Sequence, residues 1–371
     1  MYLRSSLVFS LIAALVVGSF AAPQSNAEDV SIAQKQQQMI DKAVAFLATK
    51  AQADDGSFNA QAGPAVTALV ATGILRHGRS PDEPVVAKAL KYVEGFVHED
   101  GGIYGEGRHT NYETCIALIC FKEANRNGKY DELIKNADAY IKANQWGSDG
   151  KTGAEDVKFG GAGYGRTGDR PDLSNTSFLV DALKAAGNDE NSEAMQRALL
   201  FVSRCQNLES KDNTTPFAAK INDGGFYYTP AAGGVSQAGT DEATGGLRSY
   251  ASMTYAGLKS MIYAGVKADD PRVTAALGWL KKNYDLDSNP GMGDAGLYYY
   301  YHTFAKALSA LGEDKFIDDQ GVEDDWRMEL TNELASRQRE DGSWVNENSR
   351  WLEGDASLVT GYSLLTLSYC K

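Results

Sequence analysis

Four side chains stand where they could carry acid–base chemistry. Glu113, Asp172 and Asp355 each open or precede a run of small and apolar residues that is typical of a helix. A carboxyl there can act as a general acid or base, but the same position also suits a helix N-cap, and both interpretations stay open. His302 follows Tyr301, and imidazole titrates near neutral pH, so His302 is the best single candidate for proton transfer, with a hydrogen-bonded structural role as its alternative.

Aromatic residues form the second candidate set. The chain has 19 tyrosines, many of them near predicted turns and helix starts. Aromatic rings can contact a ligand or stabilise a cation through their faces, and they can also simply pack at the tips of helical hairpins. We predict a ligand-binding role for five aromatic residues: Tyr164, Tyr250, Tyr255, Tyr301 and Trp344.

A unit that recurs roughly every 50 residues must position these side chains. Each unit has a first helix, a glycine turn with an aromatic or apolar residue after it, and a second helix rich in small apolar residues. The turns lie at 55–58, 100–104, 160–164, 223–227, 294–298 and 341–344. About six such hairpins can bury their apolar faces by closing into a ring. The sequence therefore predicts an all-α protein, an α/α toroid with the second helices inside.

Two connections are longer than the repeat requires. They span residues 147–172 and 208–248, and the second is rich in Gly, Thr, Ala and Pro. Long loops in a compact repeat protein often cover a pocket, so we expect a lid over one rim of the ring, with ordinary surface loops as the alternative.

Part of the repeat resembles a known family. The segment 334–344, which contains Gln338 and Trp344, is similar to the glutamine-tryptophan motif of squalene-hopene cyclases, and Gln206 follows a first helix in the same way. The stretches 245–257 and 301–303 resemble inner-helix starts of protein prenyltransferase β-subunits. The resemblance covers almost all of residues 28–371 and implies a toroid with a central, apolar, aromatic-lined cavity.

The zinc site of that family is not complete in this sequence. The resemblance implies an Asp-x-Cys pair and a histidine as metal ligands, and the matching positions are Arg248, Tyr250 and His302. An arginine would repel the metal, since zinc is held by thiolate, imidazole and carboxylate groups. We therefore expect no metal, no cofactor and no zinc prenyltransferase activity.

The acidic motif of the cyclases is also altered. Those enzymes protonate an alkene with an Asp-x-Asp-Asp motif, and the nearest segment here is Glu323-Asp324-Asp325-Trp326, ahead of a predicted outer helix. Its charged surroundings favour a solvated helix start. Whether the protein is an enzyme stays open; if it is, the resemblance implies a terpenoid-cyclase-like reaction.

The N-terminus and the overall charge limit the location and the partners. Residues 1–27 have a basic residue, an apolar run and small residues, which is the pattern of a cleaved signal peptide, so we expect export to the bacterial periplasm or beyond and no stable membrane insertion. The formal net charge of −13 opposes binding to nucleic acid. The four cysteines show no zinc-ligand spacing and are predicted to be buried thiols.

The leading hypothesis is an exported, terpenoid-cyclase-like toroid that binds a hydrophobic or isoprenoid-like small molecule in its cavity. One alternative is a non-catalytic scaffold that binds a protein partner at its rim. Another is a carbohydrate-active α/α-barrel enzyme, in which paired carboxyls such as Glu113 and Asp355 face each other across an aromatic cleft.

Overall fold

The computed structural model describes residues 27–165 and 170–371. The predicted signal peptide therefore lies outside the described residues, apart from Ala27. Within the described chain, helices alternate between an outer and an inner layer. The outer helices are α1 (Ala27–Phe46), α3 (Pro84–Glu94), α5 (Asp131–Asn144), α7 (Glu193–Arg204), α10 (Pro271–Lys282) and α12 (Trp326–Arg337). The inner helices are α2 (Pro64–Arg76), α4 (Thr110–Ala124), α6 (Leu173–Ala185), α9 (Ala251–Tyr263), α11 (Leu297–Leu311) and α13 (Ala356–Leu367).

The inner helices form a closed ring. Each packs on the inner helices of the preceding and following hairpins, and α13 packs on α2 to close the circle. The inner helices are buried on nearly all sides, which explains why their sequences are rich in small apolar residues. The predicted all-α toroid is thus confirmed. Minor elements are α8 (Ala218–Ile221), the short helical turns Leu47–Ala51, Ala60–Ala62 and Arg350–Leu352, and the antiparallel strands β1 (Phe316–Ile317) and β2 (Glu323–Asp324).

The turn glycines let neighbouring hairpins approach closely. Gly56 has φ +93°, and a Cβ there would lie 2.3 Å from the carbonyl oxygen of Lys88 on the next outer helix. Gly342 has φ +91°, and a Cβ there would lie 2.4 Å from the carbonyl oxygen of Lys42 on the first outer helix. Any other residue would be strained by the dihedral angle and blocked by this contact. The same close contact at a turn glycine therefore joins successive hairpins and also joins the last hairpin to the first.

A glutamine supports several of these turns. Gln206 Nε2 donates to the carbonyl oxygens of Gly224 and Arg272, at 2.8 Å each, and so ties its own turn to the next outer helix. Gln338 Nε2 joins Gly342 O at 3.0 Å to Met39 O at 2.9 Å. The glutamine of the repeat motif therefore satisfies carbonyl groups between hairpins, which is a structural role.

Two further features complete the description. All four cysteines are free and buried, as predicted: Cys115, Cys120, Cys205 and Cys370. None of the helices described combines the length and the apolarity that crossing a bilayer requires.

Candidate functional site

A cavity of about 790 Å³ occupies one end of the ring. First-turn or second-turn residues of all six inner helices line it, so these helices run parallel to one another and point their N-termini at the cavity. The aromatic side chains in its wall are Phe96, Tyr112, Tyr164, Phe178, Tyr228, Tyr250, Tyr299, Trp351 and Tyr362. Volume and composition are those of a small-molecule site, because such sites are concave, largely apolar and carry a few placed polar groups.

Both long loops contribute to this wall. Tyr164 comes from the first loop, and Tyr228 and Gln237 come from the second. The Tyr164 carbonyl oxygen accepts hydrogen bonds from the N–H groups of Asn111 (2.9 Å) and Tyr112 (3.1 Å), which fixes the first loop to the start of α4. Residues 166–169 of that loop lie outside the described residues. The two loops thus build part of the cavity end, as the lid prediction requires.

Four aromatic rings from the first or second turns of inner helices form the floor of the cavity. The Tyr112 and Phe178 rings meet edge to face at 5.3 Å, Phe178 lies 6.2 Å from Tyr299, and Tyr299 lies 6.0 Å from Tyr362. These separations fall within the range in which aromatic pairs attract one another. Because the four residues come from four different inner helices, the floor exists only in the closed ring.

Glu113 lies in the cavity wall, in the first turn of α4. Its Oε2 accepts the N–H of Gly105 at 2.8 Å, and a Cβ at Gly63 would lie 2.6 Å from its Oε1. Burial raises the pKa of Glu113, and the Gly105 hydrogen bond offsets this only in part. A carboxyl with this environment can hold a proton closer to neutral pH than a solvated glutamate can.

Glu353 lies in the same wall and closes the start of α11. Its Oε1 accepts the N–H of Tyr299 at 2.8 Å, and its Oε2 accepts Asn346 Nδ2 at 2.7 Å. The residue at the N-cap of α11 is Gly296, which has no side chain to cap the helix, so a carboxylate from the next hairpin satisfies these groups. Burial raises the pKa of Glu353. Glu353 could not be recognised from the sequence because the helix N–H groups that it accepts lie some 55 positions away.

Asp172 is the N-cap of α6 and is 2 % exposed. Its Oδ1 accepts the N–H of Asn175 at 2.9 Å and its Oδ2 accepts Asn175 Nδ2 at 2.8 Å, and Tyr228, which lines the cavity, is a neighbour of this carboxyl. Burial raises the pKa of Asp172 to about 6 despite these hydrogen bonds. The capping and the acid–base interpretations of Asp172 are therefore compatible, with Tyr228 between the carboxyl and the cavity.

Asp355 is an N-cap as well. Its Oδ1 accepts the N–H of Leu358 at 2.9 Å, and its Oδ2 accepts Asn59 Nδ2 at 2.7 Å, which joins α13 to the segment before α2. Both carboxylate oxygens thus have structural partners. Asp355 is not among the lining residues, so the structure does not pair Glu113 with Asp355 across the cavity as the carbohydrate-enzyme alternative suggests: the carboxyls in the wall are those of Glu106, Glu113 and Glu353.

The mouth of the cavity carries two exposed apolar residues in strained backbone. Trp351 and Leu352 have φ values of 56° and 64° and are 44 % and 53 % exposed. Positive φ is costly for bulky residues and is concentrated at functional sites. The Arg350 guanidinium covers the Trp351 ring at 4.2 Å and donates to Gln237 Oε1 at 2.7 Å, so the second long loop helps to hold this conformation.

The comparisons with known proteins agree with this architecture. A family model described as the squalene-hopene cyclase C-terminal domain matches residues 40–229, just over half of the 371 residues. The chain belongs to this family. A search of curated proteins finds no significant sequence match.

Solved structures of this architecture include enzymes with different substrates. A type II terpene cyclase, an MstE variant from Scytonema in complex with its substrate geranylgeranyl dihydroxybenzoate, matches with TM-score 0.57 and 13% identity over 92% of this chain and 99% of that one. An unsaturated glucuronyl hydrolase specific for heparin matches with TM-score 0.53 and 14% identity, over 92% and 97%. A sugar epimerase from a ruminal bacterium matches with TM-score 0.52 and 12% identity, over 91% and 98%. At these identities the similarity shows the fold.

The positions that correspond to the motifs of cyclases and prenyltransferases do not assemble one site. Arg248 is exposed, Tyr250 lines the cavity and His302 lies below the floor. Asp325 caps the outer helix α12 by accepting the N–H of Met328 at 3.1 Å, which agrees with a helix start at the acidic segment. Among the described residues, no group of three His, Cys, Asp or Glu side chains gathers closely enough to hold a metal ion.

His302 faces a buried charged cluster on the other side of the floor. The cluster comprises Asp181, Lys259 and Lys306, from three inner helices. Burial lowers the pKa of His302 well below its ordinary value, and the charge of Lys306 lowers it further. His302 is thus separated from the cavity by the aromatic floor. This cluster could have been predicted from the sequence, because Asp181, Lys259 and Lys306 are charged residues in the middle of mainly apolar inner helices.

Three of the five predicted ligand-binding aromatics lie elsewhere. Tyr255 packs against Phe304 at 5.0 Å, Tyr301 donates its hydroxyl to Leu286 O at 2.6 Å, and Trp344 Nε1 donates to Leu334 O at 2.7 Å. All three are buried in the core and are not cavity-lining residues, because their helical or turn positions face the neighbouring helices. Tyr164 and Tyr250 do line the cavity, together with Tyr299.

Proposed function

We propose that this protein binds a hydrophobic, isoprenoid-like small molecule in the cavity. The observation that carries this proposal is the wall itself: aromatic rings from every side of the ring surround about 790 Å³ of mostly apolar space. Burial of apolar surface is the main source of affinity for such ligands. The strained, exposed pair Trp351 and Leu352 stands at the entrance, where it can contact an incoming apolar chain.

Proton transfer to the bound molecule is compatible with this site. Asp172 neighbours Tyr228, whose side chain lines the cavity, and its pKa of about 6 keeps a fraction of the carboxyl protonated near neutral pH. Terpenoid-cyclase-like chemistry, if the protein is an enzyme, would begin with such a proton donor. The binding proposal does not depend on this step.

The test is native mass spectrometry of the purified protein with added farnesol or geranylgeraniol. We expect a one-to-one complex with the wild type and its loss in Val66→Trp, because Val66 lines the cavity and an indole there would fill the space. Lys135→Trp, on the exposed face of α5, is the matched control and should retain the complex. Absence of a complex with both alcohols, or a complex that persists in Val66→Trp, would refute the proposal.

A carbohydrate-active enzyme is the second candidate, favoured by two wall carboxyls of raised pKa, Glu113 and Glu353, beside aromatic rings. This candidate predicts that the protein consumes a glucuronide or epimerises a sugar, and that Glu113→Gln abolishes turnover. A protein-binding scaffold instead predicts no small-molecule complex and a partner held at Trp351 and Leu352.

We also propose that the chain is exported. The support is the signal-like pattern of residues 1–27. Fractionation of a bacterial host followed by N-terminal sequencing should give a periplasmic protein beginning at Ala22 or Glu28. A cytoplasmic protein that retains Met1 would contradict export.

A further inference from the structure

A small cavity of about 30 Å³ lies beneath the aromatic floor, between the inner helices. Its polar lining residues include Arg76, Asp181, His302 and Lys306, and apolar residues of neighbouring inner helices line the rest. Phe178 lines both this cavity and the large one. One side chain, that of Phe178, thus separates the two cavities. The small cavity is lined by charged groups, whereas the large one is lined mainly by aromatic and apolar residues.

The cluster around this cavity carries excess positive charge. Lys259 Nζ and Lys306 Nζ each lie 2.6 Å from an oxygen of Asp181, and the three side chains are 3 %, 10 % and 6 % exposed. Two ammonium groups therefore share one carboxylate. Arg76 does not correct the balance, because its charge is matched by Glu123 at 2.7 Å. A net charge held away from water is costly unless a counter-charge accompanies it.

Hydrogen-bond donors at the same place lack partners among the described residues. An ammonium group has three N–H donors, and the acceptor of Lys306 in the described chain is Asp181 alone. His302 is 5 % exposed, and its Nδ1 has no partner there either. Arg76 uses Nε for Glu123 and Nη1 for the Tyr369 hydroxyl, which leaves Nη2. Lys306 and His302 are buried, whereas the Arg76 side chain is 19 % exposed, and all three residues line one cavity.

We propose that this cavity is a binding site for a small monovalent anion of the halide class, held by Lys306, Arg76 and His302. The volume suits one small ion, since about 10–15 Å³ already admits a water molecule. An ion there neutralises the excess charge and accepts the unfilled N–H groups. It also selects the His302 tautomer that carries its proton on Nδ1.

The competing way to relieve the charge is loss of a lysine proton. Burial already lowers the pKa of Lys259 to about 8 and lowers that of Lys306. The other charged or titratable groups that face these lysines are Asp181, His302, Arg76, Glu123, Tyr263 and Tyr369. A bound anion favours the protonated lysines, whereas a water molecule in its place leaves the lysine pKa values low. The two alternatives therefore differ in whether halide binds and stabilises the fold.

Thermal unfolding of the purified protein in chloride or bromide is the first test, with gluconate, too large for the cavity, maintaining constant ionic strength. A ligand that binds only the folded state raises the Tm with its concentration. We expect a saturable rise in Tm with halide for the wild type and none for Lys306→Met. Lys135→Met removes an exposed lysine instead and should respond as the wild type does.

Anomalous diffraction from bromide-soaked crystals of the wild type is the second test, and it does not require the Lys306 variant to fold. The expected result is a bromide peak in the small cavity, in contact with Lys306 Nζ. A halide-independent Tm, or the absence of a peak there, would show that water occupies the site and would overturn the proposal. The same conclusion follows if Lys306→Met folds and keeps the full halide response.

Discussion

The two ends of the ring differ in chemistry although the same six helices build both. Around the large cavity lie the N-terminal turns, with Glu113, Asp172, Glu353 and aromatic rings. In the C-terminal halves of the inner helices lie the cations, including Arg76, at the end of α2. Acidic groups are favoured near helix N-termini and basic groups near C-termini. Parallel packing of the helices therefore gathers Glu113, Asp172 and Glu353 at one end of the ring, while the cations lie towards the other end, where Asp181 is their partner.

The two ends also differ in the surroundings of their side chains. At the cavity end, loops and exposed aromatics leave surface free for a ligand. At the charged end, charged side chains from different hairpins pair with one another around a small cavity. We therefore expect substitutions at the charged end to reduce stability and substitutions at the cavity end to affect mainly binding.

The largest effect is expected at Asp181. Replacement by alanine leaves two buried ammonium groups without a counter-charge, and such losses cost roughly 3–5 kcal/mol. Guanidinium unfolding would measure the change. The combined variant Asp181→Leu, Lys259→Met, Lys306→Met removes all three charges and should recover most of the loss. A mild effect of Asp181→Ala alone would mean that the lysines lose their protons readily.

Phe178→Ala should rank next, because Phe178 separates the two regions. Truncating a buried phenylalanine costs about 3 kcal/mol, and it also joins the apolar cavity to the charged cluster. We expect both a lower free energy of unfolding and weaker binding of farnesol by native mass spectrometry. Phe178→Leu keeps the separation and is the control. Unchanged binding in the alanine variant would show that the floor does not limit the ligand site.

The raised pKa of Asp172, at the cavity end, should make the free energy of unfolding depend on pH. Its pKa is raised from an ordinary value of 3.8 to about 6, so the folded state binds its proton more tightly than the unfolded state does. The free energy of unfolding should therefore fall by roughly 2–3 kcal/mol as the pH rises from 4 to 6. Asp172→Asn should remove this contribution, while Asp138→Asn on an outer helix should leave it intact.

The smallest effect is expected on the outer surface. Lys135 and Glu132 form an ion pair whose side chains are 75 % and 74 % exposed. Such pairs contribute little, so Lys135→Ala should change the free energy of unfolding by less than about 0.5 kcal/mol. Set beside the Asp181 variant, this result would show that burial, and not pairing as such, gives the inner charges their effect. A loss comparable with that of Asp181→Ala would contradict this explanation.

The sequence by itself determined the fold. Turn glycines such as Gly56 and Gly342, the glutamines that follow first helices, and the regular spacing of small apolar residues are local signals repeated along the chain. Each describes one hairpin, and hairpins with two apolar faces have few ways to bury them, so the ring followed from the repeat. The four buried thiols followed from the same apolar pattern.

Tertiary structure alone decided which residues share a site. The sequence placed tyrosines near helix starts, but a rotation of about 100° per residue separates Tyr299, in the wall, from Tyr300 and Tyr301, in the core. Glu353 caps a helix of the preceding hairpin, and Asp181 meets lysines from two others. Such contacts join residues tens of positions apart, so only the packed ring sets their geometry.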